Sequence, residues 1–330
     1  MTVTPMTRTI GSLIPHPYSS EHTLTSPQLQ RFWQQITTGE LAVSPEITLA
    51  YMAVTHPSHK RTLVLSNGRV ESYLKYQEVI YDCYRQGYNV YALDHRGQGL
   101  SSRLTLNPHK GHVEHFDDYV DDFEKFIEQV VLPAQVQDSP LFLLGHSMGC
   151  AISSLYVARN PHTFSAAAFS APMYGIRLPA PKPAILWLAT WLDKFRRDGE
   201  PNYVPGGCNY RQVAFEKNEL THCQIRYRRY QQLYNERPEL QLGSPTNRWL
   251  TESIKAAEYC VNSVKHSTVP MLILQADEDT IVDNTAQDRA IGENAQRVIV
   301  HGARHEILFE SDNIRNHALN SLFDFFQQYA

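Results

Sequence analysis

The stretch PLFLLGHSMGCAISSLYVARNP, residues 140–161, sets an apolar run at 141–144 against a helical pattern that begins at Met148, with only Gly145, His146 and Ser147 between them. A strand buried on both faces must turn there at once into a helix. Such a turn strains the backbone of the residue at its apex. The positions two places to either side must then be nearly free of side chain to clear the strand and helix, and Gly145 and Gly149 meet that need. Glycine-x-serine-x-glycine between strand and helix is a nucleophile elbow, which makes Ser147 the candidate nucleophile.

Outward from this point, short apolar runs with few charges recur: TLVLS (62–66), NVYALD (89–94), AAAFS (166–170), MLILQA (271–276) and RVIVHG (297–302). They read as strands buried on both faces. Amphipathic segments lie between and after them, at 73–86, 116–131, 148–159, 284–294 and 314–329. The alternation predicts an α/β fold with a mostly parallel central sheet and helices on both faces. Ahead of it, ELAVSPEITLAYMAVTH (40–56) partly alternates and predicts an antiparallel pair turning at Ser44 and Pro45. About ninety residues separate AAAFS from MLILQA, too many for a crossover, and predict an inserted helical cap at 176–267. The core is then 36–175 with 268–330, and 1–35, rich in Ser, Thr and Pro, reads as a loosely held arm.

Composition removes several function classes. The 330 residues are 42% hydrophobic and 19% charged, the balance of a folded globular chain. No stretch is long and apolar enough for a membrane span, the longest run being PAILWLATWL at 183–192. The amino terminus shows no apolar signal region, and five cysteines without metal or disulfide spacing suit a reducing compartment, so a cytoplasmic address is expected. A net charge of −4 argues against nucleic acid as a partner. Charge is unevenly spread, since 177–265 holds 14 Lys/Arg against 9 Asp/Glu.

A serine attacks only when a base takes its proton, and an imidazole held in one tautomer by a carboxylate does so at neutral pH. With an elbow of this kind the acid follows a late strand and the histidine the last one. After RVIVHG comes His305, preferred over His301, which falls in the strand reading, and His317, on a helix. After MLILQA come Asp277, Asp279 and Asp283, of which Asp279 is favoured and the others stay open. The oxyanion needs backbone donors. Met148, opening the helix after the nucleophile, supplies one, and Arg69, in the loop SNGRV after the first parallel strand, supplies the other. No metal or organic cofactor is expected.

The elbow, together with SNGRVESYLKYQEV (66–79), ALDHRGQGLSSRL (92–104), LTHCQIRYRRY (220–230), LQADEDTIVDN (274–284) and HGARHEILFE (301–310), resembles the α/β-hydrolase superfamily, within it the monoglyceride lipase and bacterial lysophospholipase branch. The resemblance runs from about residue 60 to the end. It implies the α/β-hydrolase fold, acyl-ester hydrolysis through an acyl-enzyme, and the same roles for Ser147, Asp279, His305 and the amides of Arg69 and Met148. It also implies a small amphiphilic lipid substrate and peripheral contact with the inner membrane face. Asn67 stands where the branch usually has histidine, a difference expected to shape the pocket only. DHRGQGLS (94–101) reads as architectural.

The insertion carries the substrate clues. Trp187, Trp191, Leu186, Leu188 and Leu192 recur at helical spacing, and either meet a bilayer, line an acyl channel or pack the insertion onto the core. Arg226, Arg228 and Arg229, interleaved with Tyr227, Tyr230 and Tyr234, are either phosphate ligands or a solvated helix face. With the resemblance, the expectation is hydrolysis of a lysophospholipid, with a monoacylglycerol lipase or a general carboxylesterase as the alternative. An aminopeptidase would need a carboxylate for the substrate amine, for which Glu71 is the candidate. A non-catalytic binding protein would be expected to have lost a member of the triad.

Overall fold

The computed structural model describes residues 18–196 and 198–330. Eight strands form one sheet in the order β1-β2-β4-β3-β5-β6-β7-β8. These are β1 (Thr37–Ala42), β2 (Thr48–Val54), β3 (Arg61–Ser66), β4 (Tyr88–Leu93), β5 (Leu141–His146), β6 (Ala166–Ser170), β7 (Met271–Ala276) and β8 (Ala295–Val300). β1 and β2 are antiparallel to their neighbours, and β4 to β8 run parallel with β3. The sheet is therefore mostly parallel, with the antiparallel pair at one edge, as the pattern predicts.

Helices cover both faces: α1 (Pro27–Trp33), α2 (Gln77–Arg85), α3 (Asp117–Phe126), the single turn α4 (Leu132–Ala134), α5 (Met148–Arg159), α6 (Lys182–Asp193), α7 (Gln224–Glu236), α8 (Asn247–Lys265), α9 (Asn284–Arg289) and α10 (Asp312–Gln327). Alternate residues of one strand serve opposite layers. Leu141 and Leu143 of β5 pack with α3, α5 and α8, while Phe142 and Leu144 pack with α2 and α10. Burial on both faces is why these strands read as continuous apolar runs.

β3 pairs with β4 on one side and β5 on the other, so the chain reverses its direction of winding between β3 and β5. Loops leaving the carboxyl ends of such neighbouring strands part and leave a crevice. Ser66 of β3 sits opposite Gly145 of β5, which brings the loop 67–72 beside Ser147.

Two features differ from the sequence reading. From Tyr18 onward the arm is tied down. Tyr18 donates to Asn320 at 2.9 Å, Ser19 N–H to Asp82 at 2.8 Å, and α1 buries Leu29 and Phe32 in the cluster beneath α2. The first 17 residues of the expected arm lie outside the described ones. Of the expected insertion, α8 packs on the core. Trp249, Ala256, Cys260 and Val264 join the cluster of α3 and α5, and Cys260 Sγ reaches Ala151 O at 3.4 Å. Its apolar face needs α5 for cover and carries α6 in turn, whereas α7 reaches the crevice loop through Tyr234 and Val70 O.

Candidate active site

β5 ends at His146, α5 starts at Met148, and Ser147 between them has φ 50° and ψ −116°. Such a conformation costs a non-glycine residue about 1–3 kcal/mol and persists only where neighbours hold it. The backbone is held from both sides: Ser147 N–H donates to Ser170 O and Met173 N–H to Ser147 O, each at 3.1 Å. A Cβ on Gly149 would lie 2.1 Å from Ser66 O, and one on Gly145 3.0 Å from Cys150 Cα. The close approach of β3, β5 and α5 thus explains both glycines.

Ser147 Oγ lies 2.9 Å from His305 Nε2, and His305 Nδ1 lies 2.7 Å from Asp279 Oδ2. Asp279 Oδ1 accepts the amides of Ile281 at 2.7 Å and Val282 at 3.0 Å. Burial pushes the Asp279 carboxyl up. The His305 hydrogen bond and charge and the two amides outweigh that, and hold it below its ordinary value. The rivals are engaged elsewhere. Asp277 Oδ2 pairs with the exposed His301, just beyond β8, and Asp283 caps α9 through Thr285 N–H. His317 lies along α10.

Met148, first residue of α5, has no intrahelical acceptor for its N–H. Neither it nor the Arg69 N–H has a protein acceptor among the described residues. The Arg69 loop is fastened by DHRGQGLS. Asp94 accepts Tyr73 N–H, Leu100 N–H, Ser72 Oγ–H and Asn67 Nδ2–H at 2.7–3.1 Å, and Gln98 donates to Gly68 O at 2.7 Å. Asn67 also donates to Leu93 O at 3.1 Å, so its side chain belongs to this network beneath the loop.

Beside the triad lies a buried ionic cluster that sequence reasoning missed. Glu71 Oε2 accepts Gly68 N–H at 2.6 Å, Tyr76 O–H at 2.5 Å and His146 Nδ1 at 3.0 Å, while Glu71 Oε1 meets Lys75 at 2.8 Å. Lys75 also pairs with Glu306, and His146 Nε2 lies 3.3 Å from His305 O. Burial opposes every charge here. Lys75 and His146 outweigh it at Glu71, which falls well below the usual carboxylate range, while the carboxylates raise Lys75 and His146 above theirs. The signal available in sequence was the Glu71–Lys75 spacing of four and Glu306 directly after His305.

The triad opens into a cavity of about 380 Å³. Met173, Ile176, Leu220, Trp249, Leu250 and Ile281 line one part of it, and Glu71, Lys75, Tyr230 and Glu306 another.

The insertion arginines are not in that cavity. Arg226 is buried: its Nε and Nη2 grip Glu78 at 2.7 and 2.6 Å, Nη2 also meets Asp312 at 2.7 Å, and Nη1 donates to Glu310 O at 2.5 Å. Its donors are spent joining α7 to α2 and α10, which corrects its reading as a phosphate ligand. Arg228 is exposed, and Arg229 lines a separate small cavity with Leu24 and Leu29. Trp187 is also outside, 69% exposed, with Trp191 on the same helix and Phe195 just past its end beside it.

Burial pushes the Glu78 carboxyl up, and Arg315 and Arg226 together hold it below its ordinary value. A depressed folded-state pKa contributes stability above the unfolded value, lost as pH falls through the folded one. Arg226→Met should therefore cost about 1.5–3 kcal/mol at neutral pH by removing two charged hydrogen bonds from Glu78, with Arg315 left beside it, and the gap to wild type should narrow as pH falls below the ordinary Glu value. Chemical unfolding across pH measures both.

Residues 57–312 match the family described as Serine aminopeptidase, S33 (Hydrolase_4). The chain belongs to this α/β-hydrolase family. Within the superfamily it is 38% identical to Lysophospholipase L2 of Escherichia coli K12 over 316 residues, 92% of each chain. It is 37% identical to a Probable lysophospholipase L2 of Haemophilus influenzae, over 95% of this chain and 98% of that one. Monoglyceride lipase of Mus musculus is 24% identical over 80% and 81% of the two chains. Among solved structures, a soluble variant of monoglyceride lipase from Saccharomyces cerevisiae in complex with a substrate analogue superposes with a TM-score of 0.69 at 19% identity, covering 88% of this hydrolase and 95% of that chain.

Proposed function

We propose that this α/β-hydrolase is a serine carboxylic-ester hydrolase of single-chain glycerol lipids, with lysophospholipids as its substrate class. One observation carries the chemistry: Ser147, His305 and Asp279 are linked by hydrogen bonds of 2.9 and 2.7 Å at the base of a cavity part apolar and part charged. His305 Nε2 takes the Ser147 proton as Oγ attacks the ester carbonyl. The Arg69 and Met148 amides receive the charge developing on the carbonyl oxygen. His305 then protonates the departing glycerol oxygen, and water, activated by the same imidazole, releases the fatty acid from Ser147. The apolar lining suits the acyl chain, and the Glu71–Lys75–Glu306 side suits the alcohol and head group.

The relatives named lysophospholipase, at 37–38% identity, support a phosphate-bearing head group. A second reading, monoacylglycerol, draws on the charge balance, because Lys75 already faces two carboxylates. Aminopeptidase chemistry lacks its anchor, since both oxygens of Glu71 are engaged. The exposed aromatic patch of Trp187 and Trp191 on α6 and Phe195 just after it suits contact with the lipid surface from which substrate is drawn.

A matched panel of lysophospholipid, monoacylglycerol, short nitrophenyl ester and aminoacyl amide tests the reading. The highest kcat/KM is expected for lysophospholipid. A monoacylglycerol maximum would select the second reading, and an aminoacyl amide maximum would remove both. In the same assay, Trp187→Ser with Trp191→Ser should slow hydrolysis on vesicles several-fold and spare the soluble nitrophenyl ester.

A further inference from the structure

The Gly68–Arg69 peptide carries the Arg69 N–H, and carbonyls on both sides of Arg69 are pinned. Gly68 O accepts from Gln98 Nε2 at 2.7 Å, and Gln98 is buried at 2% exposure. In a trans peptide the C=O and N–H point in opposite directions. Gln98 therefore sets the heading of the Arg69 N–H from the core side.

On the other side stands Val70 with φ 66°, a left-handed backbone that a β-branched side chain strongly disfavours. Conformations of this kind cost about 1–3 kcal/mol and need external support. Val70 O accepts the hydroxyl of Tyr234, which comes from α7 of the inserted segment. Tyr234 is fully buried, its ring 4.6 Å from that of Tyr230. Burial pushes its phenol well above the ordinary value, so the hydroxyl stays a donor. The Arg69 side chain leans the same way, with Nη2 donating to Gly243 O at 2.5 Å and the guanidinium 5.1 Å from the Trp249 ring centre.

We propose that Tyr234 is a positioning residue for the oxyanion hole: its hydroxyl, reaching from α7 to Val70 O, holds the left-handed Val70 and thereby the Arg69 amide. The hole is then complete only while α7 is docked. Ester hydrolysis is tied in this way to a seated insertion, although Tyr234 touches none of the reacting atoms. The inference rests on the serine-hydrolase reading above and on Arg69 as a donor.

The test uses the full chain and a short nitrophenyl ester, which needs little of the acyl cavity. Tyr234→Phe should lower kcat roughly tenfold or more, less than the two to three powers of ten for a deleted donor, with KM within threefold. Val70→Gly in the same chain should restore kcat to within threefold of wild type, because glycine adopts this φ without support. A hydroxyl serving only the packing of α7 would lower the unfolding temperature, and Val70→Gly would rescue nothing. Tyr234→Phe with kcat within twofold of wild type overturns the proposal, as does a double variant no faster than the single one. Ser147→Ala run in parallel separates the two readings. If it is inactive while Tyr234→Phe is unaffected, only this inference falls; if it stays active, the serine mechanism falls first.

Discussion

Ser147→Ala should lower turnover by roughly five to six powers of ten while leaving the fold intact. The loss is large because the alternative nucleophile, water, would have to be placed by a cavity shaped for an acyl chain. Alanine removes Oγ, and His305 Nε2 loses its partner at 2.9 Å. The backbone hydrogen bonds to Ser170 and from Met173 do not involve that atom, so circular dichroism and the unfolding midpoint should stay near wild type. Residual activity would report the oxyanion donors and binding alone. Steady-state hydrolysis of the nitrophenyl ester decides the matter, and activity within tenfold of wild type would end the serine mechanism.

Asp279→Asn should cost about four powers of ten in kcat, against less than tenfold for Asp277→Asn or Asp283→Asn. The tautomer of His305 decides the difference. Asp279 Oδ1 is committed to the amides of Ile281 and Val282, so in asparagine the oxygen must stay there and the NH₂ must face His305. A donor at that place makes Nδ1 the acceptor and moves the ring proton to Nε2, where it points at Ser147 and cannot accept. Asp283→Asn instead weakens a cap on α9, a loss of about 1 kcal/mol in stability or less. Equal losses at 279 and 283 would displace the assignment. Asp279 lies below its ordinary value, so it is charged at neutral pH.

Much of this architecture was legible because it depends on local patterns. Strands buried on both faces leave uninterrupted apolar runs, and the elbow needs glycines at two fixed places, so β3 to β7 and the elbow at Ser147 can be read directly. RVIVHG differs from its reading: β8 spans Ala295–Val300 rather than 297–302, and as the edge strand of the sheet it exposes Gln296, Arg297 and Ile299 instead of burying both faces. The end of the 284–294 helix could not. The chain leaves α9 after Arg289, and Gly292 then packs so closely on Lys265 that a Cβ would lie 2.0 Å from its carbonyl oxygen. Arg226 misled for a related reason. A guanidinium on a helix reads alike whether it faces water or Glu78, 148 positions earlier in the chain. The cluster around Glu71 assembles from three separate stretches of chain, 68–76, the end of β5 and Glu306, and only Lys75 and Glu306 left a local trace.

The placement of α8 bears on how this scaffold could be rebuilt. Trp249 lines the reaction chamber, while Ala256, Cys260 and Val264, farther along the same helix, fill space against α3 and α5. A chimera that borrows its lid from another hydrolase should therefore rejoin the host before Asn247. A graft reaching to the next strand would bring a foreign half of the interior with it, and the recipient would have to repack one side of its sheet before any change in selectivity could be seen.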